Sequence, residues 1–153
     1  MKEIISNNLS RLGLHDSSVE KIIYVGSDLV IMFDWCKLND YEEKGFNDVI
    51  IVGRSSLLVE NYRSDILKLD FGGTPGHNDR LPEFIAFDKF RNVPDFLISR
   101  NMVDDNLKVA KIEGLWKLDD IYCWLEWSFD YNYLTLEWDD FITREEWKQG
   151  KIL

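Results

Sequence analysis

The chain has 153 residues, and 28 acidic residues against 18 basic ones give it a formal net charge of −10. Hydrophobic residues make up 45% and aromatic residues 14%, which excludes a disordered chain because so much apolar surface can offset the entropy lost on folding. The length predicts a single domain spanning residues 1–153. The acidic balance argues against nucleic acid as a partner, because phosphates carry the same charge.

The sequence contains no segment that would place the chain in a membrane. No apolar run approaches the roughly 18 residues that span a bilayer, and residues 1–8 are too polar for the apolar centre of a signal peptide. We therefore expect a cytoplasmic protein that makes no membrane contact. Cys36 and Cys123 are too few for a disulfide scaffold, and we expect both to pack as small hydrophobic residues.

Alternation of apolar and polar residues predicts β-strands along much of the chain. After a β-rich run at 19–25, apolar residues recur at every second position and predict a strand with one buried face: Leu29, Ile31, Phe33 and Trp35. Gly26-Ser27 separates the two runs and predicts a hairpin turn between them. Further strands are predicted from similar runs at 49–52, 56–59, 66–71 and 107–112.

Helix and loop signals are fewer. The first dozen residues fit a short amphipathic turn or two, and the glycine-rich run 72–76 predicts a loop within the domain. Pro82 opens a segment that fits a short helix and, nearly as well, a strand, and this segment carries Phe84, Phe87 and Phe90. The capping-box pattern of Thr143 and Glu146 predicts a short helix that stops at Gly150.

The clearest hairpin signal lies near the end of the chain. Two alternating runs, 121–129 and 134–138, flank a turn at 130–132 and predict a pair of neighbouring strands. We expect one face of this pair to be buried: Trp127, Phe129, Leu134, Leu136 and Trp138. The opposite face then carries Tyr122, Trp124, Glu126, Tyr133, Thr135 and Glu137. Together these signals predict a mainly β (α+β) fold with six to eight strands in all and one or two short helices. We expect the strands to form antiparallel sheets arranged like a sandwich or a half-barrel.

Charge is distributed unevenly along the chain. Residues 119–146 contain nine acids and only one base, Arg144, so this segment carries a net charge of −8. The same stretch, extended to Trp147, holds nine of the 21 aromatic residues. Acids and aromatics together are typical of a surface that meets a cationic partner, because carboxylates steer association and aromatics anchor it. The alternative is that the aromatics form the core and the acids only solvate the outer face.

Residues with the chemistry of a catalytic or metal site are scarce. The two histidines, His15 and His77, lie beside Asp16 and Asp79, but their spacing matches no ligand pattern, so we predict no metal and no cofactor. His15-Asp16-Ser17 cannot act as a catalytic triad, because neighbours in a chain do not face one another as a triad requires. The glycine-rich loop lacks the lysine of a phosphate-binding loop. We therefore predict that the protein is not an enzyme.

A resemblance to a known group of proteins appears at the two ends of the chain. Leu14-His15-Asp16-Ser17, followed by a predicted strand and then by residues 28–34, resembles the opening of several small acidic bacterial immunity proteins, the inhibitors of polymorphic or contact-dependent toxins. The aromatic-rich strand pair and the terminal segment 141–147 are also similar to the close of those proteins. The resemblance implies toxin binding but carries over no functional residue. We expect His15 and Asp16 to join the leading segment to the first hairpin by hydrogen bonds.

The leading hypothesis is an immunity protein that binds and neutralises a cognate bacterial toxin domain, basic in charge and in many such systems a nuclease. We expect its partner-binding residues to be Tyr122, Trp124, Glu126, Asp130, Tyr131, Tyr133 and Glu137. One alternative is a β-barrel or sandwich that binds a small molecule in an aromatic-lined pocket, and another is an enzyme that uses carboxylates and a bound cation. An exposed strand with tryptophan could also pair with its own copy in a homodimer.

Overall fold

The computed structural model of the chain describes residues 2–45, 48–63, 66–86, 96–118 and 120–153. These residues form one short α-helix and fourteen strands, more than the six to eight that the sequence predicts. The strands and the helix are β1 (Glu3–Ile5), β2 (Leu12–Gly13), β3 (Ser18–Val25), β4 (Asp28–Phe33), β5 (Cys36–Tyr41), β6 (Asp48–Val52), β7 (Ser55–Glu60), β8 (Ile66–Asp70), β9 (Glu83–Ala86), β10 (Phe96–Asp104), β11 (Val109–Leu118), β12 (Ile121–Asp130), β13 (Tyr133–Trp138), β14 (Phe141–Thr143) and α1 (Arg144–Lys148).

The strands form two antiparallel sheets, which confirms the predicted fold class. The larger sheet has ten strands in the order β1-β13-β7-β4-β3-β10-β11-β12-β8-β9. The smaller sheet has four strands in the order β14-β6-β5-β2. The hairpin predicted around Gly26-Ser27 is confirmed, because β3 and β4 pair from Val25 opposite Asp28 down to Val19 opposite Phe33.

The larger sheet folds over so that its two halves share a core. Only Phe96 and Leu97 of β10 pair with β3, so the two halves are joined by a short seam. Tyr62, just beyond β7, crosses to the other half, where its hydroxyl accepts a hydrogen bond of 2.9 Å from the Trp127 Nε1 of β12. Its ring centroid also lies 5.4 Å from that of Phe129. The resulting arrangement is sandwich-like, as predicted.

Burial follows the predicted alternation within the strands. Leu29, Ile31 and Phe33 are fully buried, and every residue expected on the inner faces of β12 and β13 is buried as well. The prediction for Trp35 is wrong, since this residue is only half-buried. The reason is that β4 ends at Phe33 and the chain turns before β5, so the alternation no longer applies at position 35.

The predicted pairing of β12 with β13 is also wrong. β12 pairs with β11 and β8, whereas β13 pairs with β7 and β1, and five strands lie between β12 and β13 in the sheet order. The intervening residues bind elsewhere: Tyr131 N–H donates to the Lys108 carbonyl at 3.2 Å, and Asn132 N–H donates to the Glu60 carbonyl at 3.0 Å. The two-residue link therefore carries the chain from one half of the folded sheet to the other.

Three local predictions remain: the helix after Thr143, the helical turns in the first dozen residues, and the segment after Pro82. The capping box is confirmed, because Glu146 N–H donates to the Thr143 Oγ1 and Thr143 N–H donates to the Glu146 carboxylate. Of the first dozen residues only 9–11 are helical, as a single 3₁₀ turn between β1 and β2. Phe84 lies in strand β9, and the predictions for Phe87 and Phe90 fall outside the described residues.

The segment Leu14–Ser17, which connects β2 to β3, is hydrogen-bonded to β10. Asp16 N–H donates to the Ile98 carbonyl at 2.9 Å, and the His15 Nδ1 lies 2.5 Å from the Ser99 carbonyl oxygen, both on β10. The Asp16 carbonyl accepts a hydrogen bond from Trp35 Nε1 at 3.2 Å. The expected link to the first hairpin is therefore replaced by hydrogen bonds to β10 and to Trp35, which follows the end of β4.

Candidate functional site

Two of the aromatic residues predicted to bind a partner, Tyr122 and Trp124, lie on β12 of the larger sheet, on the side away from the core. Cys123, Leu125 and Trp127 of β12 point inward and are buried. Strand alternation therefore turns Tyr122 and Trp124 outward. Tyr122 is 60% exposed and Trp124 is half-buried, so both present aromatic surface to solvent.

Three apolar side chains stand in line across this outer face. Leu97 of β10 lies opposite Leu115 of β11, and Leu115 lies opposite Trp124 of β12. Residues directly opposite one another in an antiparallel sheet share a face and are near enough for their side chains to touch. Leu97 is 41% exposed and Leu115 is 45% exposed. We call these three residues the Trp124 row.

A second line of residues, all charged, runs beside the Trp124 row. Across β8, β12, β11 and β10 the register places these residues opposite one another in the order Lys68, Glu126, Glu113 and Arg100. The Lys68 Nζ lies 3.7 Å from the Glu126 carboxylate, and Arg100 forms an ion pair with Glu113. We call these four residues the charged row. Its two bases lie at the ends of the row, and each pairs with the glutamate next to it, which offsets the repulsion between the two central glutamates.

Glu113 is the most deeply placed member of the charged row. It is buried, and burial raises the pKa of its carboxyl, but hydrogen bonds from Arg100 and Lys111 outweigh that effect and leave the pKa below its ordinary value. The Lys111 Nζ lies 3.1 Å from the Glu113 carboxylate. Glu113 therefore stays ionised and fixes Arg100, whose guanidinium carbon is 5.9 Å from the centre of the Trp124 ring.

A groove of about 380 Å³ borders the Trp124 row. The glycine-rich loop predicted at 72–76 forms its far wall, and the Thr74 hydroxyl donates a hydrogen bond of 2.5 Å to the Tyr122 carbonyl. The groove is lined by Asp70, Thr74, Pro75, His77, Leu115 and Trp124, among others. The outer face is therefore not flat, since one side of the aromatic patch is recessed.

The charge of this face is more mixed than the count of acids along the chain suggests. The nine acids counted along residues 119–146 suggest an uncompensated acidic surface. On the outer face of β12, however, bases from other strands lie beside the acids, and the Lys117 Nζ also sits 5.5 Å from the Tyr122 ring centre. The expected acidic and aromatic-rich face therefore also contains bases, because its neighbours in space come from β8, β10 and β11.

The structure divides the predicted set of binding residues. Tyr122, Trp124 and Glu126 lie together on β12, and Asp130 is exposed at the far end of that strand, where its backbone pairs with Arg63. Tyr133 and Glu137 lie on β13, and five strands separate β13 from β12 in the sheet order. Tyr133 is exposed and Glu137 is half-buried, as the predicted alternation requires, but neither shares a surface patch with Trp124.

Tyr131 corrects the prediction most clearly, because it is only 3% exposed. Its hydroxyl donates to the Asp104 carbonyl at 3.3 Å, and burial raises its pKa to about 12. Tyr131 thus anchors the crossing between the two halves of the sheet and presents no surface to a partner. A hairpin turn would have exposed it, and the failure of that hairpin explains its burial.

Sequence reasoning also missed residues that the site contains. Strand β10 was not predicted, so neither Leu97 nor Arg100 could be placed beside Trp124. Leu115 lies beyond the predicted strand at 107–112, which in the structure begins at Val109 and continues to Leu118. The sequence signal that would have extended that strand is the continued alternation after Ile112, in which apolar Trp116 and Leu118 flank Lys117.

The histidines and cysteines form no metal site within the described ranges. There, no group of three or more His, Cys, Asp or Glu side chains is arranged to hold a metal ion. His77 lines the groove, whereas His15 hydrogen-bonds to β10. Cys36 and Cys123 are free thiols and are buried, as predicted, and burial raises their pKa values to about 12 and about 11.

Comparison with known proteins identifies no relative of this chain. No protein-family model, no curated protein and no solved structure matches it. Within the described ranges, no helix has the length and apolar character needed to cross a bilayer. The geometry and chemistry of the outer face are therefore the basis on which a function is proposed.

Proposed function

We propose that the protein is an immunity protein, a non-enzymatic inhibitor that binds and neutralises a cognate bacterial toxin domain through the outer face of β10, β11 and β12. The observation that carries this proposal is the Trp124 row, an exposed apolar line with ion pairs along one side. The resemblance of Leu14–Ser17 and the following hairpin to immunity proteins supplies the class of partner.

The anatomy of the face suits a protein partner. Binding energy at protein interfaces concentrates in a few residues, tryptophan, tyrosine and arginine above all, surrounded by contacts that exclude water. Trp124, Tyr122 and Arg100 stand together here, and the Glu113 ion pair holds Arg100 in place before any partner arrives. Such preorganisation lowers the entropy lost on binding.

The overall charge favours a basic target. The net charge of −10 attracts a cationic domain over several ångströms and raises the association rate. Because bases neutralise the acids of the charged row, this steering comes from the whole molecule. We accordingly propose a cytoplasmic inhibitor that needs no cofactor and meets a basic toxin domain, such as a nuclease.

The test measures binding to the protein encoded immediately upstream, using surface-based kinetics. Trp124→Ala should raise the Kd about 30-fold or more, equivalent to about 2 kcal/mol, mainly through faster dissociation. Tyr133→Ala is the matched control, since it removes an exposed aromatic from β13. Its Kd should stay within about twofold of the wild-type value.

Each other outcome has a definite meaning, provided thermal melts show that both variants fold. If Tyr133→Ala weakens binding and Trp124→Ala does not, the interface lies on β13 and the Trp124 row is not the site. If the upstream protein does not bind the wild type at all, the immunity function is wrong. Size-exclusion chromatography of the free protein identifies the case in which a second copy occupies this face.

A further inference from the structure

A second cleft, of about 590 Å³, lies on the smaller sheet and shares no residue with the groove beside the Trp124 row. Ile51 of β6 and Ile142 of β14 pair with one another and form its floor. Trp35 lies on its wall, as does Trp147, which is 55% exposed. The volume is within the roughly 300–1,000 Å³ of small-molecule sites, and such sites are largely apolar, as this floor is.

The rim of this cleft is acidic. Asp34, Asp139 and Asp140 line it, and among its described lining residues Arg54 is the one base. The Arg54 Nε lies 3.2 Å from the carboxylate of Glu20, which is not among the residues lining the cleft. A partner for Arg54 therefore already exists, and the three aspartates give the cleft a net negative charge.

Hydrogen bonds hold two of the three rim aspartates, Asp34 through its side chain and Asp140 through its backbone. The Asp34 Oδ1 accepts hydrogen bonds from the backbone N–H of Ser18 at 2.7 Å and from its neighbour Trp35 at 2.9 Å. The Asp140 carbonyl accepts a hydrogen bond of 3.1 Å from Gly53 N–H. Hydrogen bonds therefore fix the Asp34 carboxylate and the backbone at Asp140 at the edge of the cleft.

The aromatic wall already faces one cation of the chain itself. The Lys37 Nζ lies 5.6 Å from the centre of the Trp35 ring, within the range of cation–π attraction. Lys37 is not among the residues lining the cleft. Trp35, which the alternation predicts to be buried, is instead held at the surface by the hydrogen bond from its Nε1 to the Asp16 carbonyl.

From the apolar floor, the two tryptophans and the negative rim, we propose that this cleft binds a small organic cation, an ammonium or guanidinium group on an apolar body. The body would rest on Ile51 and Ile142, and the charged group would meet Asp139 and Asp140 at the rim. A cation gains attraction to the three carboxylates that a neutral ligand lacks, and an anion would be repelled. This proposal does not depend on the proposed function, because the two sites have no residue in common.

The test compares two probes of nearly equal shape, benzamidine, which is a cation at pH 7, and benzamide, which is neutral. Binding to the whole protein is measured by calorimetry and by the indole N–H signals of its six tryptophans. Benzamidine should bind at least about tenfold more tightly than benzamide and should shift the signals of Trp35 and Trp147, assigned from Trp35→Phe and Trp147→Phe variants. Added salt should weaken benzamidine binding and leave benzamide binding unchanged.

A charge-matched pair of variants tests the rim. Asp139→Asn with Asp140→Asn should weaken benzamidine binding about fivefold or more, whereas Glu42→Gln with Asp79→Asn, which removes the same charge away from the cleft, should change it by less than about twofold. Equal binding of the two probes, or an equal loss in both double variants, would overturn the proposal.

Discussion

Gly114 of β11 offers the sharpest test of how the larger sheet is built. A Cβ atom added there would lie 2.0 Å from the Leu97 carbonyl oxygen and 2.9 Å from the Ile98 Cα, both in the backbone of β10. The first distance is about 1.4 Å short of the 3.4 Å at which ordinary van der Waals contact begins. Because backbone atoms cannot rotate away as a side chain does, Gly114→Ala must push β10 away from β11.

The expected cost follows from what that movement breaks. Losing two hydrogen bonds between β10 and β11 costs about 1 kcal/mol each. Crowding the core side of the sheet costs a further 1–3 kcal/mol or so. Gly114→Ala should therefore lower the free energy of unfolding by about 3–5 kcal/mol, a large share of the roughly 5–15 kcal/mol of a typical domain.

Urea unfolding followed by tryptophan fluorescence measures this loss. Gly73→Ala is the matched control, because a Cβ atom there meets nothing within 4 Å, and we expect its effect to stay within about 0.5 kcal/mol. A loss under about 1 kcal/mol for Gly114→Ala would refute the close approach of β10 to β11. It would also refute the pairing of Leu97 with Leu115 on which the Trp124 row depends.

Three further predictions concern the core, the charged row and the histidines. Phe33→Ala should lower the free energy of unfolding by about 3–5 kcal/mol in urea, because Phe33 is fully buried, and a loss under about 1 kcal/mol would contradict that burial. The folded-state pKa of Glu113 lies below its ordinary 4.5, so the stability of the wild type relative to Glu113→Gln should be constant above about pH 4.5 and should fall as the pH drops through the folded pKa. Urea unfolding of both proteins from pH 7 to pH 3 measures this difference in stability. A difference that does not change with pH would contradict the prediction. Elemental analysis of protein purified without a histidine tag should find no stoichiometric zinc, manganese or iron, and one equivalent lost in a His15→Ala, His77→Ala double variant would overturn the metal-free prediction.

Local features of the fold can be predicted from the sequence because they depend on residues that are close together in the chain. The period of two that buries Leu29, Ile31 and Phe33 lies within one strand, and the turn at Gly26-Ser27 needs only its own backbone freedom. The capping box of Thr143 and Glu146 closes within a single helical turn. In each case the interacting groups are a few residues apart, so the pattern alone predicts the structure.

Which strands become neighbours was decided by tertiary contacts. Residues 121–138 have the pattern of a hairpin, yet β12 and β13 belong to different halves of the folded sheet. Contacts made by distant segments settle this choice: Tyr131 with Lys108 and Asp104, and Asn132 with Glu60. A period of two reveals which face of a strand is buried, but it carries no information about the partner strand.

The same division applies to the candidate sites. The alternation of residues 121–129 predicts that Tyr122 and Trp124 face away from the core, and the burial of Cys123, Leu125 and Trp127 confirms it. Only the tertiary structure brought Leu97 and Leu115 into line with Trp124, and only it placed Lys68 beside Glu126. Apolar contact and ion pairing depend on separations of a few ångströms in space. Residues far apart in the chain can lie within those distances of one another. A count of the acids in residues 119–146 therefore does not give the charge of the surface that these acids share with bases from other strands.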